Sequence, residues 1–190
     1  MTSPHGAEPR PAVFLDRDGT VNVDTHYLRR PEDVVLIAGA AEAIGALNRA
    51  GVPVIVVSNQ SGIGRGILTH GEYELVRARI DEQLALHDAH FDASYICPHA
   101  PSASTGEPIC ECRKPGTLLF RTAAAEHGLD LSRSVFIGDR WRDVSPALAF
   151  GARGILVPSP DTPPADFARA RAELHVEPTL GAAVAAVLRG

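Results

Sequence analysis

The chain has 190 residues, of which 45% are hydrophobic, which is enough to bury one sizeable core in a single domain. Its 18 basic and 23 acidic residues leave a formal net charge of −5 and are scattered along the chain, a pattern that does not favour non-specific nucleic-acid binding. No window approaches the roughly 18 consecutive apolar residues of a membrane span, and the N-terminus lacks the apolar core of a secretory signal. We expect a cytoplasmic monomer that binds neither membranes nor nucleic acids.

The elements follow in chain order. Residues 1–11, which include three prolines, are predicted to form a flexible tail, and residues 12–190 a single domain. Short apolar runs predict strands at 12–15, 52–58, 91–97, 134–138 and 153–157, the last taken as the final strand. Segments of helical period lie between and after them, at 40–51, 70–87, about 115–128, from 143, and 179–190.

Local signals refine these elements. Thr69 and Glu72 have the spacing of a capping box before the charged helical segment 70–87. Pro115 suits the first turn of a helix, and the prolines between 158 and 164 predict a loop. The alternation of strands and helices predicts an α/β fold with a mainly parallel sheet, in which ligands bind at the carboxyl ends of the strands.

Two carboxylates, Asp16 and Asp18, follow the first strand, and Gly19 permits a sharp turn there. An acidic turn without a ligand is one alternative. A calcium loop is another, because Thr20 and Asn22 continue the alternate spacing, but Gly19 falls at the fourth loop position instead of the sixth. The pair indicates a site for something positively charged.

Polar residues also follow three later segments. Ser58 to Gly62 offer hydroxyl, amide and backbone donors of the kind that hold a phosphate. Arg113 and Lys114 could bind phosphate, although a solvated basic pair is the simpler interpretation of these two alone. A further pair of acids, Asp139 and Asp143, follows the fourth strand and makes Asp139 a third carboxylate for a metal.

Together, the segments FLDRDGT, VVSNQ, Lys114 and IGDRWRD resemble the four motifs of the haloacid dehalogenase (HAD) superfamily, over roughly residues 12–157. The resemblance implies a three-layer Rossmann-like fold and a Mg²⁺-dependent phosphatase with Asp16 as nucleophile and Asp18 as proton donor and acceptor. Ser58 and Lys114 would stabilise the phosphoryl group. The segment between Asp18 and the first helix is too short for a cap domain.

The same resemblance implies that Mg²⁺ is held by Asp16, Asp139 and the backbone carbonyl of Asp18, with Asp143 behind them. Asp18 must be protonated near neutral pH to donate a proton, so we expect its pKa to be raised. An ATP-driven pump is disfavoured because those members of the superfamily carry Thr at the position of Asp18.

The three cysteines are confined to one stretch and are an odd number, which is a poor disulfide framework. With one histidine they form a full tetrahedral ligand set, which predicts a structural zinc ion on a long loop: Cys97, His99, Cys110 and Cys112. A loop with free thiols is the alternative.

This loop, with DRDGTVN and SNQSGIGRG, looks like the D-glycero-D-manno-heptose 1,7-bisphosphate phosphatases, whose scaffold the histidinol-phosphate phosphatases share. The resemblance implies hydrolysis of the 7-phosphate and a set of substrate contacts: Asp24, Thr25, His26, Tyr27, Asn59, Gln60, Ser61 and Arg113. A solvated His26 is the simpler interpretation of that residue. Two departures, Gly116 directly after Pro115 and Ser58 where Thr is common, affect the substrate loop and the phosphate site.

Three alternative functions remain at this point: a histidinol-phosphate phosphatase, another small-molecule phosphatase, and a zinc-stabilised binding module without turnover. The pair Asp16 and Asp18 speaks against the binding module, because a binder needs neither a nucleophile nor a proton donor. Arg65 could reach a second phosphate or face solvent, and the sequence does not choose between them; Trp141 could simply pack beside the site.

Overall fold

A computed structural model of the chain describes residues 8–106 and 109–190. Its centre is a sheet of six parallel strands in the order β3-β2-β1-β4-β5-β6. The strands are β1 (Val13–Leu15), β2 (Val54–Asn59), β3 (Ala93–Cys97), β4 (Val135–Gly138), β5 (Arg153–Leu156) and β6 (His175–Val176). The expectation that β5 ends the sheet is wrong, because β6 has only two residues and so leaves no periodic signal in the sequence.

Eight α-helices and two short 3-10 turns accompany the sheet in the described ranges. The helices are α1 (Ala40–Arg49), α2 (Ser61–Gly64), α3 (His70–Ala85), α4 (Leu118–His127), α5 (Trp141–Val144), α6 (Pro146–Phe150), α7 (Pro164–Glu173) and α8 (Leu180–Arg189). The 3-10 turns are Pro31–Asp33 and Leu131–Arg133. The α/β prediction is confirmed, and so is the capping box of α3, where Thr69 and Glu72 cap each other.

The helices cover both faces of the sheet, which makes three layers. Successive residues of a strand point to opposite faces, so Val13 and Leu15 pack with α1, α3 and α8 while Phe14 packs on the other side. There the Phe14 ring lies 5.4 Å from the Phe120 ring of α4 and 5.0 Å from that of Phe136. Because both faces are covered, the central strands are buried and read as continuous apolar runs.

Three predicted element boundaries were wrong. Pro163 and Pro164 do not mark a loop but begin α7, where a proline in the first turn lacks only an N–H group that the helix does not need. Pro115 lies in a turn closed by the Gly116 N–H to the Arg113 carbonyl, and α4 begins three residues later. The helix expected from Asp143 begins at Trp141 and is followed by α6.

The chain contacts the rest of the domain before Ala12. Most of the predicted tail, residues 1–7, lies outside the described residues, whereas Arg10 already hydrogen-bonds through its backbone to Gly128 and Asp130. Between β1 and α1 only one 3-10 turn interrupts the loop, so no cap domain stands there. Within the described ranges no helix combines the length and apolar character needed to cross a membrane.

Candidate active site

The carboxyl ends of β1, β2 and β4 meet at one edge of the sheet. Asp16 follows β1 directly, and its N–H donates to the carbonyl of Ile137 in β4, so the first motif is fixed against the fourth. Lys114 comes from a distant loop. Its ammonium donates one hydrogen bond to Asp16 Oδ1 at 2.6 Å and another to the Val57 carbonyl at 2.6 Å. The structure thus brings together all four motifs that the sequence separates widely.

Lys114 is the only lysine of the chain, which otherwise uses arginine for its cations. It is 2% exposed, and its ammonium also contacts Asp143 Oδ1 at 2.7 Å. Burial disfavours the charged amine, but Asp143 and Asp16 outweigh it and raise the pKa of Lys114. A compact ammonium fits this space and stays ionised at neutral pH.

Three carboxylates converge beside Lys114. Asp16, Asp139 and Asp143 are all buried and each offers an oxygen within 4.8 Å of the others. Burial raises the pKa of Asp16 to about 7 despite Lys114, and burial together with Asp143 raises the pKa of Asp139 to about 6. More negative charge is therefore gathered here than Lys114 balances, and oxygen ligands of this kind fit a divalent cation such as Mg²⁺.

The neighbours of Asp139 hold its carboxylate in place. Ser159 donates its hydroxyl to Asp139 Oδ2 at 2.6 Å, and Thr162 donates to the Asp139 carbonyl at 2.7 Å. Gly19, with φ +86°, passes so close that a Cβ there would lie 2.5 Å from Asp139 Oδ2. Neither Ser159 nor Thr162 was predicted as a site residue, because both belong to the segment interpreted as a proline-rich loop.

Asp18 does not belong to this cluster of three carboxylates. Its side chain accepts three hydrogen bonds from the Arg17 guanidinium, with the shortest at 2.8 Å, and one each from Asn22 and Gln60. Burial alone would raise the pKa of Asp18, but these partners lower it below the ordinary value. The expected rise is therefore wrong for this conformation, because the sequence does not show that Arg17 folds back onto its neighbour.

The second motif contributes amide and hydroxyl groups. Gln60 donates to Ser58 Oγ at 2.8 Å as well as to Asp18, and thereby ties the end of β2 to the first motif. Asn59 exchanges two hydrogen bonds with the backbone of Lys114, at 2.9 and 3.2 Å. Ser58 therefore lies beside the carboxylates, and Asn59 positions the lysine.

A cleft of about 320 Å³ opens above these groups. Most of the residues predicted to bind substrate line it, namely Asp24, His26, Tyr27, Asn59, Gln60, Ser61 and Arg113, together with Asp16, Asp18 and Ser58. Thr25 does not; it lines a neighbouring cavity with Arg29 and Glu72. The sequence argument did not select Arg140 and Arg142, which also line the cleft, although their place after β4 was a usable signal.

The four predicted zinc ligands also come together. Cys112 Sγ lies 3.0 Å from Cys97 Sγ and 3.1 Å from Cys110 Sγ, and His99 Nδ1 lies 3.2 Å from Cys112 Sγ. A tetrahedral zinc with bonds of about 2.3 Å needs donors separated by roughly 3.8 Å, so small adjustments would accommodate the ion. One thiolate is already favoured, because hydrogen bonds from the other ligands outweigh burial and lower the pKa of Cys110 to about 7.

The predicted zinc ligands adjoin the cleft through Arg113. This guanidinium, which follows Cys112 directly, donates to the His99 carbonyl at 3.2 Å. Across the described ranges no carboxylate lies within ion-pair distance of Arg113. A half-buried cation without a counter-charge, in a cleft that Asp16 also lines, is suited to bind an anionic group.

Comparisons with known proteins agree with this geometry. Residues 111–184 match the HAD-hydrolase-like family model. The chain is 39% identical, over 75% of its length and 76% of the relative's, to the D-glycero-beta-D-manno-heptose-1,7-bisphosphate 7-phosphatase of Escherichia coli O6:H1. It is 42% identical, over 78% of its length and 79% of the relative's, to the D-glycero-D-manno-heptose-1,7-bisphosphate 7-phosphatase of Thermosynechococcus vestitus.

A solved structure gives the same result. The D,D-heptose 1,7-bisphosphate phosphatase from B. bronchiseptica, crystallised with magnesium and phosphate, superposes with a TM-score of 0.84 at 28% identity, covering 94% of this chain and 98% of that one. Fold and site define a HAD-type phosphatase. The chain belongs to the haloacid dehalogenase-like phosphatases, in the family that contains these relatives.

Proposed function

We propose that this phosphatase hydrolyses the 7-phosphate of D-glycero-D-manno-heptose 1,7-bisphosphate. The observation that carries the proposal is the cleft itself. Asp16 with Lys114 lies at its base, and Arg113, whose charge no described carboxylate balances, lines the same cleft. A substrate with one phosphate to transfer and a second to hold complements both features. The names of the most similar relatives support this choice of sugar.

In the proposed reaction a carboxylate oxygen of Asp16 attacks phosphorus and the bond to the sugar oxygen breaks. Asp18 gives its proton to the leaving oxygen, and later takes one from the water that hydrolyses the phosphoaspartate. Lys114 and Ser58 stabilise the transferring oxygens. The contact with Arg17 favours ionised Asp18, the form that accepts a proton in the second step, so donation in the first step requires Asp18 to leave Arg17.

We propose Mg²⁺ as the cofactor, held by Asp16 and Asp139 with the backbone carbonyl of Asp18, and with Asp143 adjoining. When bound, the ion would reduce the repulsion between the nucleophilic carboxylate and the phosphate. The raised pKa values of Asp16 and Asp139 support this assignment, because both carboxyl groups lack sufficient positive charge nearby.

We also propose that zinc occupies the site of Cys97, His99, Cys110 and Cys112. All four positions would be filled by protein, so the ion would be structural. Its function here would be to fix the loop that carries Arg113, through the His99 carbonyl. A site of three reduced thiols fits the cytoplasm, where we place the enzyme as a monomer.

The test measures phosphate release in Mg²⁺ from heptose 1,7-bisphosphate, histidinol phosphate and several sugar monophosphates. Asp16→Asn, which keeps the size of the side chain and removes the nucleophile, supplies the blank. We expect the bisphosphate to lead by about 100-fold in kcat/KM, or roughly 2.7 kcal/mol. A lead of histidinol phosphate would reject the proposed substrate, and activity equal to the blank would reject the assigned nucleophile.

A further inference from the structure

Arg142 lines the catalytic cleft and forms a loose ion pair with Asp143, a member of the acid cluster below it. Its Nε lies 3.9 Å from Asp143 Oδ1, too far for a hydrogen bond, and that oxygen already contacts the Lys114 ammonium at 2.7 Å. Its side chain is 47% exposed. The neighbouring Arg140, by contrast, lies 3.4 Å from Asp139 Oδ2. Arg142 therefore has N–H donors that the described residues leave available to a ligand.

Arg142 also lies close enough to Arg113 for their charges to interact. Burial lowers the pKa of Arg113, and the positive charge of Arg142 lowers it further. Asp143 balances part of the charge of Arg142, whereas no described carboxylate lies within ion-pair distance of Arg113, so an anion between the two guanidinium groups would reduce their repulsion. Two planar guanidinium forks facing one space suit a phosphate, which offers several oxygens to paired N–H donors.

Helix α7 packs against the segment that carries Arg142. The Trp141 N–H donates to Asp166 Oδ2 at 2.8 Å, and the Arg169 guanidinium lies 4.0 Å from the centre of the Trp141 ring. Trp141 also packs against the small apolar cluster that contains Ala170. These contacts fix the backbone from which Arg142 projects, so less freedom is lost when it binds.

We propose that Arg142 is a specificity-determining residue that binds, together with Arg113, the phosphate of the substrate that is not transferred. Trp141 and Arg169 are its positioning residues. The proposal rests on the proposed function, in which that group is the 1-phosphate of the heptose. The reacting phosphate is bound at Asp16 and Lys114 instead.

Two substrates that differ only in the group of interest provide the test: heptose 1,7-bisphosphate and heptose 7-phosphate. Arg142→Gln should lower kcat/KM for the bisphosphate by about 10- to 100-fold, chiefly by raising KM. The same variant should change kcat/KM for the monophosphate by less than about threefold. Arg142→Lys should recover part of the loss. Arg171→Gln, an exposed arginine of α7, is the matched control and should leave both values unchanged.

The positioning residues need a measurement that general destabilisation would not move. Arg169→Gln should lower the bisphosphate-to-monophosphate ratio of kcat/KM by about threefold while kcat for the monophosphate is kept. An equal loss on both substrates in Arg142→Gln would show that Arg142 acts on the chemical step and would overturn the inference. No change in kcat/KM for either substrate in Arg142→Gln would also overturn it.

Failure of the proposed substrate can be told apart from failure of this inference. If the wild-type enzyme does not prefer the bisphosphate, the proposed function falls, and the inference is then tested on p-nitrophenyl phosphate hydrolysis. Fructose 1,6-bisphosphate should inhibit the wild type more strongly than fructose 6-phosphate, and Arg142→Gln should remove most of that difference. If the difference is absent in the wild type or unchanged in the variant, Arg142 does not bind a second phosphate.

Discussion

Replacing Lys114 by Met should be one of the most damaging single changes in this domain. The ammonium contacts Asp16, Asp143 and the Val57 carbonyl, all at 2.6 to 2.7 Å, in a space that is 2% exposed. Breaking a buried ion pair costs about 3–5 kcal/mol. Because the pKa of Asp16 is already about 7, a proton can replace part of the lost charge. We therefore expect a loss of about 3 kcal/mol at pH 7.5.

That loss corresponds to a fall in Tm of about 6–12 °C for a domain of this size. At pH 5.5 the destabilisation should be about half as large, because more Asp16 is protonated in the wild type and less depends on the ammonium. Urea unfolding at both pH values in Mg²⁺-free buffer measures these differences. Phosphatase activity should fall by about 100- to 1,000-fold, since a preorganised charge at the phosphoryl oxygens is lost.

Two further variants control the experiment. Arg171→Met removes an exposed cation and should change stability by less than about 0.5 kcal/mol. Lys114→Arg keeps the charge but enlarges the group in a closed space, so it should also destabilise, by about 1–3 kcal/mol. A loss below about 1 kcal/mol in Lys114→Met, or an equal loss at both pH values, would contradict the ion network described here.

Three other predictions address the metals and the loop around them. Cys112→Ser should reduce bound zinc from about one equivalent to below half and lower Tm by more than about 5 °C; equal zinc content by atomic absorption would reject the assigned ligands. Gly19→Ala should cost about 1–3 kcal/mol and most of the activity, because its Cβ meets Asp139 Oδ2 at 2.5 Å. Gly51→Ala is the control, because Gly51 also has a positive φ (+69°) but no atom within 4 Å of its Cβ position. Equal activity losses in the two variants would show that backbone strain, and not the contact with Asp139, causes the loss. In Mg²⁺-free buffer the folded protein binds more protons than the unfolded chain between about pH 4 and 7, because the pKa values of Asp16 and Asp139 are raised. Its free energy of unfolding should then fall by about 4 kcal/mol from pH 5 to 8, and a constant value in calorimetry would reject the raised pKa values.

Much of the site was predictable because each functional group follows an apolar run. Asp16, Ser58 and Asp139 come directly after or at the end of strands that the sequence marks clearly, and parallel strands bring their carboxyl ends to one edge. The clustering of Cys97, His99, Cys110 and Cys112 was predictable from residue type and closeness in the chain. Elements without such patterns, such as the two residues of β6, left no comparable signal.

The sequence by itself determined which polar residues follow the strands and on which edge of the sheet they meet. Apolar runs mark the strands, and parallel strands bring their carboxyl ends to one edge. Only the tertiary structure decided how those residues pair. Arg17 turns back onto Asp18 and reverses the expected direction of its pKa shift, and α7 holds Trp141 so that Arg142 lines the cleft. Side-chain direction and the charges around a carboxyl group depend on contacts between distant segments, which no local pattern records.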